Sequence, residues 1–143
     1  MNQPKVFETR IEIRFNDIDA AGHVNNAVIA TYFEEGRKVL FYTTFRESVP
    51  GGFNFMLAHL ELDFVRPVRL EDRLLLKMWV SAIGTKSFEL SYLLVDENDQ
   101  ERVFANGNSV QVCYDYAAGR TMAVPENLKN ALAGYRGPAR TTL

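Results

Sequence analysis

One cysteine stands in the whole chain, so Cys113 has no internal partner and a disulfide framework is excluded. No Cys/His group has the spacing of a zinc site, and no metal ligand set is expected. No apolar run approaches the ~20 residues that a membrane-spanning helix needs. The start, MNQPKVFETR, lacks the apolar stretch of a secretory signal. Basic residues (16) are balanced by acidic ones (18), giving a net charge of −2 with no dense Lys/Arg run, so no nucleic-acid partner and no membrane is expected. Internal repeats, a glycine-rich phosphate loop and a Gly-x-Ser-x-Gly elbow are all missing. What is present is a 47% hydrophobic composition, enough for an ordinary core. The default expectation is a cytoplasmic protein forming one domain over residues 1–143, with about 1–4 and 135–143 loose.

The hydrophobic period changes twice along the chain. Phe7, Thr9, Ile11, Ile13 and Phe15 alternate with charged residues, the period of a half-buried strand. From Ala27 to about Phe45, the residues Val28, Ile29, Tyr32, Phe33, Gly36, Val39, Leu40 and Thr43 fall at helical spacing. Asn25 or Asn26 supplies an N-cap. Gly36 costs up to about 1 kcal/mol in a helix interior, which close approach of the helix to a sheet would explain. After a loop at 48–52 the period returns to two. Strands are expected around 58–64, ended or kept at a sheet edge by Pro67, then around 74–82 and from Phe88. A last strand runs from Val103 to Tyr116, with Val110, Val112 and Tyr114 on one face and Gly107 as a bulge marker. Turns fall at Gly84-Thr85 and Asp96 to Asp99, and a short helix begins at Pro125. An α+β fold satisfies this order: an antiparallel sheet of five to six strands wrapped around one long central helix. Such a sheet keeps an exposed edge that a second subunit would cover.

The densest chemistry lies in Asp17-Ile18-Asp19-Ala20-Ala21-Gly22-His23-Val24-Asn25-Asn26, directly before the long helix. A helix N-terminus offers free N–H groups and roughly half a positive elementary charge. A carboxylate beside it can act as nucleophile or base on a carbonyl.

With D-I-D-A-A-G-H-V-N-N, then Y-F-E-E-G-R, L-D-F-V-R-P-V, E-D-R-L, T-K-S-F and V-P-E-N-L in order, the chain resembles the hot-dog-fold acyl-CoA thioesterases of the 4-hydroxybenzoyl-CoA thioesterase-like branch. The resemblance runs from about residue 6 to 132. It implies a hydrolase that cleaves an acyl-CoA thioester, aryl or short- to medium-chain fatty acyl. Asp19 takes the place of the acid three positions before the glycine. The backbone N–H of Asn26 takes the place of the carbonyl-polarising amide. Coenzyme A enters as part of the substrate, and no other cofactor is implied. The assembly implied is a homodimer with active sites at the shared interface, extending to a homotetramer. The turn Thr85-Lys86-Ser87 corresponds to the stretch that holds the coenzyme phosphates, with Arg66 and Arg69 as further cations.

The remaining candidates carry competing roles. Asp17 is expected to be structural or solvent-facing. His23 carries an imidazole that can act as a base or orient the loop. Val24 and Asn25 flank the substrate. Glu34 is a candidate for the acyl pocket, although surface pairing is the commoner fate of Glu34 and Glu35. His59 lies on a polar strand face, for structure or substrate contact. Tyr32, Phe33, Phe41, Phe53 and Phe55 are candidates for an aromatic or medium-chain pocket. Cys113 reads as a small buried hydrophobe. A hydratase or dehydratase of the same fold is less well matched. That branch usually places Asp five residues before His with proline between, whereas here Asp19 and Asp17 lie four and six before His23. An acyl-carrier-protein thioesterase and a non-catalytic acyl-thioester-binding module complete the alternatives.

Overall fold

The computed structural model describes residues 5–46 and 54–139. The loop expected at 48–52, Phe53, and residues 1–4 and 140–143 lie outside the described residues. The strands are β1 (Phe7–Ile11), β2 (Phe55–Phe64), β3 (Leu74–Ile83), β4 (Ser87–Asp96), β5 (Val103–Asp115) and the short β6 (Arg120–Thr121). The helices are α1 (Asn26–Thr43), between β1 and β2, and α2 (Glu126–Ala133), after β6. The sheet runs β1-β3-β4-β5-β2 with every neighbour antiparallel, and β6 adds to β5. The sheet wrapped on a long helix is therefore the expected architecture. Pro67 follows β2, which is an edge strand as anticipated.

Helix α1 lies against one face of the sheet. A Cβ on Gly36 would run into Leu76 Cδ2 and come within 3.0 Å of Met78 sulfur, so the glycine is where the helix touches β3. One turn earlier, Phe33 stacks on Tyr92 of β4 with centroids 4.6 Å apart. One turn later, Phe41 meets Phe55 and Phe88. Each such fully buried large side chain contributes roughly 1.5–3 kcal/mol. Gly107 of β5 is not a bulge, and the register shifts occur elsewhere, as at Leu57/His59. It leaves room instead: a Cβ there would strike the Glu61 carbonyl oxygen and lie 2.9 Å from the Phe33 ring.

Three further expectations yield to packing. Phe15 is 80% exposed, because β1 stops at Ile11 and the chain enters a 3-10 turn at Phe15–Asp17. Val39 is exposed, while Arg37 and Phe41 take the buried positions. On β5, Val110, Val112 and Tyr114 do share one face, the half-covered one, opposite the fully covered row of Ala105, Gly107, Ser109, Gln111 and Cys113. That inner row is polar because it bonds to itself. Arg37 Nη1 donates to the Tyr92 hydroxyl (3.2 Å), which bonds Ser109, and Gln111 Nε2 donates to Ser109 Oγ. Burial pushes the Cys113 thiol up, in keeping with its hydrophobic role. The tail is not loose from 135. Val80 N–H donates to the Tyr135 carbonyl, Gly137 N–H to the Val80 carbonyl, and Trp79 Nε1 to the Pro138 carbonyl. Those bonds cover the stretch of β3 edge beyond β1.

Candidate functional site

The Asp17 to Asn26 segment folds as a miniature ladder. Ile18 and Val24 bridge antiparallel, Asp19 N–H donates to the His23 carbonyl (3.0 Å), and Asn25 N–H donates to the Asp17 carbonyl (3.0 Å). Gly22, at φ +85°, turns the chain between the two sides, a conformation that side chains with a Cβ rarely adopt. Val24 N–H then donates to the Val68 carbonyl (2.8 Å), fastening the ladder to the segment after β2.

The ladder delivers the chain into α1 with one amide left over. Asn25 is the N-cap, its Oδ1 accepting from Ala27 N–H at 2.8 Å. Val28 and Ile29 N–H both donate to the Asn25 carbonyl. Of the four N-terminal amides that an α-helix cannot satisfy internally, Asn26 N–H alone carries no hydrogen bond among the described residues. Asn26 is exposed and faces a cleft of about 240 Å³ lined by His23, Val24, Asn26, Ile29, Arg66 and the apolar side chains of Phe64, Val65, Pro67, Val68 and Phe104. An open N–H at the positive end of an 18-residue helix, beside apolar walls, is suited to a carbonyl oxygen that gains negative charge.

Asp19 is half-buried on the ladder beside His23 and is not part of the cleft wall. Its Oδ1 accepts from Ala21 N–H (2.9 Å), the bond an ordinary turn aspartate makes, and Oδ2 takes no bond among the described residues. Asp17 is differently held. Its Oδ2 accepts both Arg14 N–H (2.9 Å) and the Tyr32 hydroxyl (2.5 Å). Burial, and then the bond to Asp17, push the Tyr32 phenol up, so it remains a donor.

The other candidates scatter. Arg66 lines the cleft, with Nη1 donating to the Val103 carbonyl (3.2 Å). Glu34 is exposed on α1 and outside the cleft, and Glu35 pairs loosely with Arg14 (3.7 Å). His59 Nε2 lies 2.8 Å from Glu61 Oε1 on the outer side of β2. Arg69 backbone N–H donates to Asp72 Oδ2 (2.7 Å) in a turn outside the cleft. Tyr32, Phe33 and Phe41 are core side chains and line no part of the cleft. Thr85 belongs to a second cleft of about 400 Å³ at the β3–β4 hairpin, lined by Ile83, Gly84, Thr85, Ala123, Val124, Glu126 and Lys129. Lys86 lies at the same corner, bonding Thr121 at 3.4 Å. Lys129 was not legible, because only α2 packing beside the hairpin brings it there. Phe104 was missed for the same reason: it reaches the cleft through Val65 N–H bonding its carbonyl (2.9 Å) across the sheet. Among the described residues no group of three His, Cys, Asp or Glu could hold a metal, and no helix is long and apolar enough to cross a membrane.

Comparison with known proteins places these features in context. The family model of the thioesterase-like superfamily matches residues 13–132. A 1,4-dihydroxy-2-naphthoyl-CoA hydrolase of Synechococcus elongatus is 26% identical over 84% of this chain and 90% of its own length. The long-chain acyl-CoA thioesterase FadM of Escherichia coli is 25% identical over 87% and 96%. Among solved structures, a predicted thioesterase from Bacillus stearothermophilus superposes with a TM-score of 0.84 at 22% identity, covering 95% of this chain and all of that one. A Thermus thermophilus thioesterase complexed with coenzyme A and zinc gives 0.78 at 27% identity, covering 93% and 96%.

Proposed function

From the premise that this chain belongs to the thioesterase-like superfamily, a family of thioester hydrolases with the hot-dog fold, we propose that it hydrolyses acyl-CoA thioesters at the N-terminus of α1. The observation that carries this reading is the single open amide, Asn26 N–H, on a cleft that apolar side chains line together with His23 and Arg66. The thioester carbonyl accepts from Asn26 N–H, which stabilises the oxyanion. Asp19 either takes a proton from water as it attacks the carbonyl carbon, or attacks directly to give a mixed anhydride that water then opens. In both routes the C–S bond breaks, the thiolate leaves and takes up a proton, and free acid and coenzyme A result. His23 orients the acid through the Asp19–His23 backbone bond. The relatives named for dihydroxynaphthoyl and long-chain acyl thioesters support the coenzyme A ester as the substrate class.

At about 240 Å³ the cleft is smaller than the 300–1,000 Å³ usual for a ligand site. Its outer wall, Phe64 and Val65, continues the exposed apolar residues Met56 and Leu57 of edge strand β2. A second copy pairing along β2 would cover this edge and close the cleft, giving a homodimer with shared sites. Sedimentation should then show a dimer or a dimer of dimers, and a monomer at micromolar concentration would remove this part of the reading. The decisive experiment is thiol release from short, medium, long and aryl acyl-CoAs by wild type and Asp19→Asn together. Turnover that disappears in the variant is expected. A folded variant with wild-type turnover would falsify the role of Asp19.

A further inference from the structure

Asp17 touches both parts of the site, although it has no place in the reaction above. Its backbone carbonyl receives Asn25 N–H, the residue directly before the open amide. Its carboxylate oxygen Oδ2 receives the Tyr32 hydroxyl, six residues into α1, and Arg14 N–H, where the chain arrives from β1. Among the described residues this is the one side-chain hydrogen bond that ties the ladder to the body of α1. Tyr32 is only 2% exposed, so its hydroxyl is delivered by a ring that the core immobilises. Asp19 follows Asp17 by two residues, on the same side of the ladder and outside the cleft wall. The separation between the Asp19 carboxylate and Asn26 N–H is therefore set by the backbone bonds of the ladder together with this one side-chain joint.

We propose that Asp17 and Tyr32 are positioning residues: a carboxylate–phenol clamp that holds the Asp19 loop against the N-terminus of α1 so that the acid and the open amide address one carbonyl. This rests on the thioesterase reading of the site. The clamp acts through placement, not by touching the substrate. Its loss therefore acts on the chemical step more than on binding, because small misplacements of reacting groups cost large factors in rate.

The test measures kcat and KM, together with amide hydrogen exchange of residues 17–26, in four variants of the full chain. Tyr32→Phe removes only the hydroxyl, and Asp17→Ala removes its acceptor. Each should lower kcat by about tenfold or more with little change in KM. Exchange over 17–26 should quicken while the strands keep their protection. The double variant should be no worse than the single ones, as for two halves of one bond. Asp17→Asn retains a carboxamide oxygen able to accept both bonds, and should recover most of kcat and the slow exchange. A folded Tyr32→Phe protein with wild-type kcat and wild-type exchange would overturn the clamp. So would an Asp17→Asn protein as inactive as Asp19→Asn, since Asp17 would then be a reacting group. If wild type cleaves no thioester at all, the reaction reading falls, and the exchange of residues 17–26 still decides whether the clamp exists.

Discussion

The cleft at the start of α1 and the cleft at the β3–β4 hairpin are built on opposite principles. At the start of α1 the groups are few and held by backbone: a ladder closed at Gly22, an N-cap that uses up Ala27 N–H, and one amide left open among apolar side chains. At the β3–β4 hairpin the space is larger and the polar groups are long side chains, Lys129 and Glu126 on its wall with Lys86 nearby. Fixed dipoles in a poorly solvated place stabilise developing charge without reorganising. Mobile ammonium groups in water attract anions, at about 0.2–1 kcal/mol each. The first cleft is therefore suited to a carbonyl that gains charge and the second to an anion held by its lysines.

The sharpest way to break this contrast is at Asp19. Its conversion to Asn should lower kcat by about 10³-fold or more with an unchanged melting temperature, as loss of a base or nucleophile does. No change at the hairpin should approach that. Next in size is Gly107→Ala. The added methyl meets the Glu61 carbonyl and the Phe33 ring, so β2 must shift, taking Phe64 and Val65 of the first cleft with it. A loss of about 1–3 kcal/mol in stability, measured by urea denaturation, should accompany a raised KM. Denaturation like wild type would show that β2 yields without cost. The smallest effects belong to the second cleft. Lys86→Ala and Lys129→Ala should each raise KM for acyl-CoA about two- to fivefold with kcat unchanged, and the difference should shrink as salt is added. A fall in kcat instead would mean that the two clefts are not separate in role.

The legible parts of this protein were those governed by local rules. Alternation located strands β1 to β5 and helical spacing located α1, because a half-covered strand and a one-sided helix must repeat at two and at 3.6 residues, while Pro125 marked the start of α2. Asp-x-x-Gly before His-Val-Asn-Asn located the acid and the helix start. Misreadings cluster where a residue's neighbours come from distant segments. Val110, Val112 and Tyr114 share one face of β5 as read, but which face is covered was not legible: the sheet turns Ser109 and Gln111 inward, where Tyr92 bonds Ser109 and Arg37 bonds Tyr92. Gly107 looked like a bulge and is a seat for Phe33. Asp17 was read as structural or solvent-facing, and its structural partner Tyr32 was not legible, because it lies 15 positions away and meets Asp17 only after α1 has turned.

The amino-acid order alone thus determined the element sequence, the family motif and the presence of an acid just before a helix, since each depends on residues within a few positions of one another. Tertiary structure decided which amide stays open, which residues wall the cleft and what Asp17 holds. Those outcomes depend on contacts from Val68, Phe104 and Tyr32, which reach the loop only when the sheet has closed on α1 and non-local bonds have compensated the entropy of bringing distant segments together.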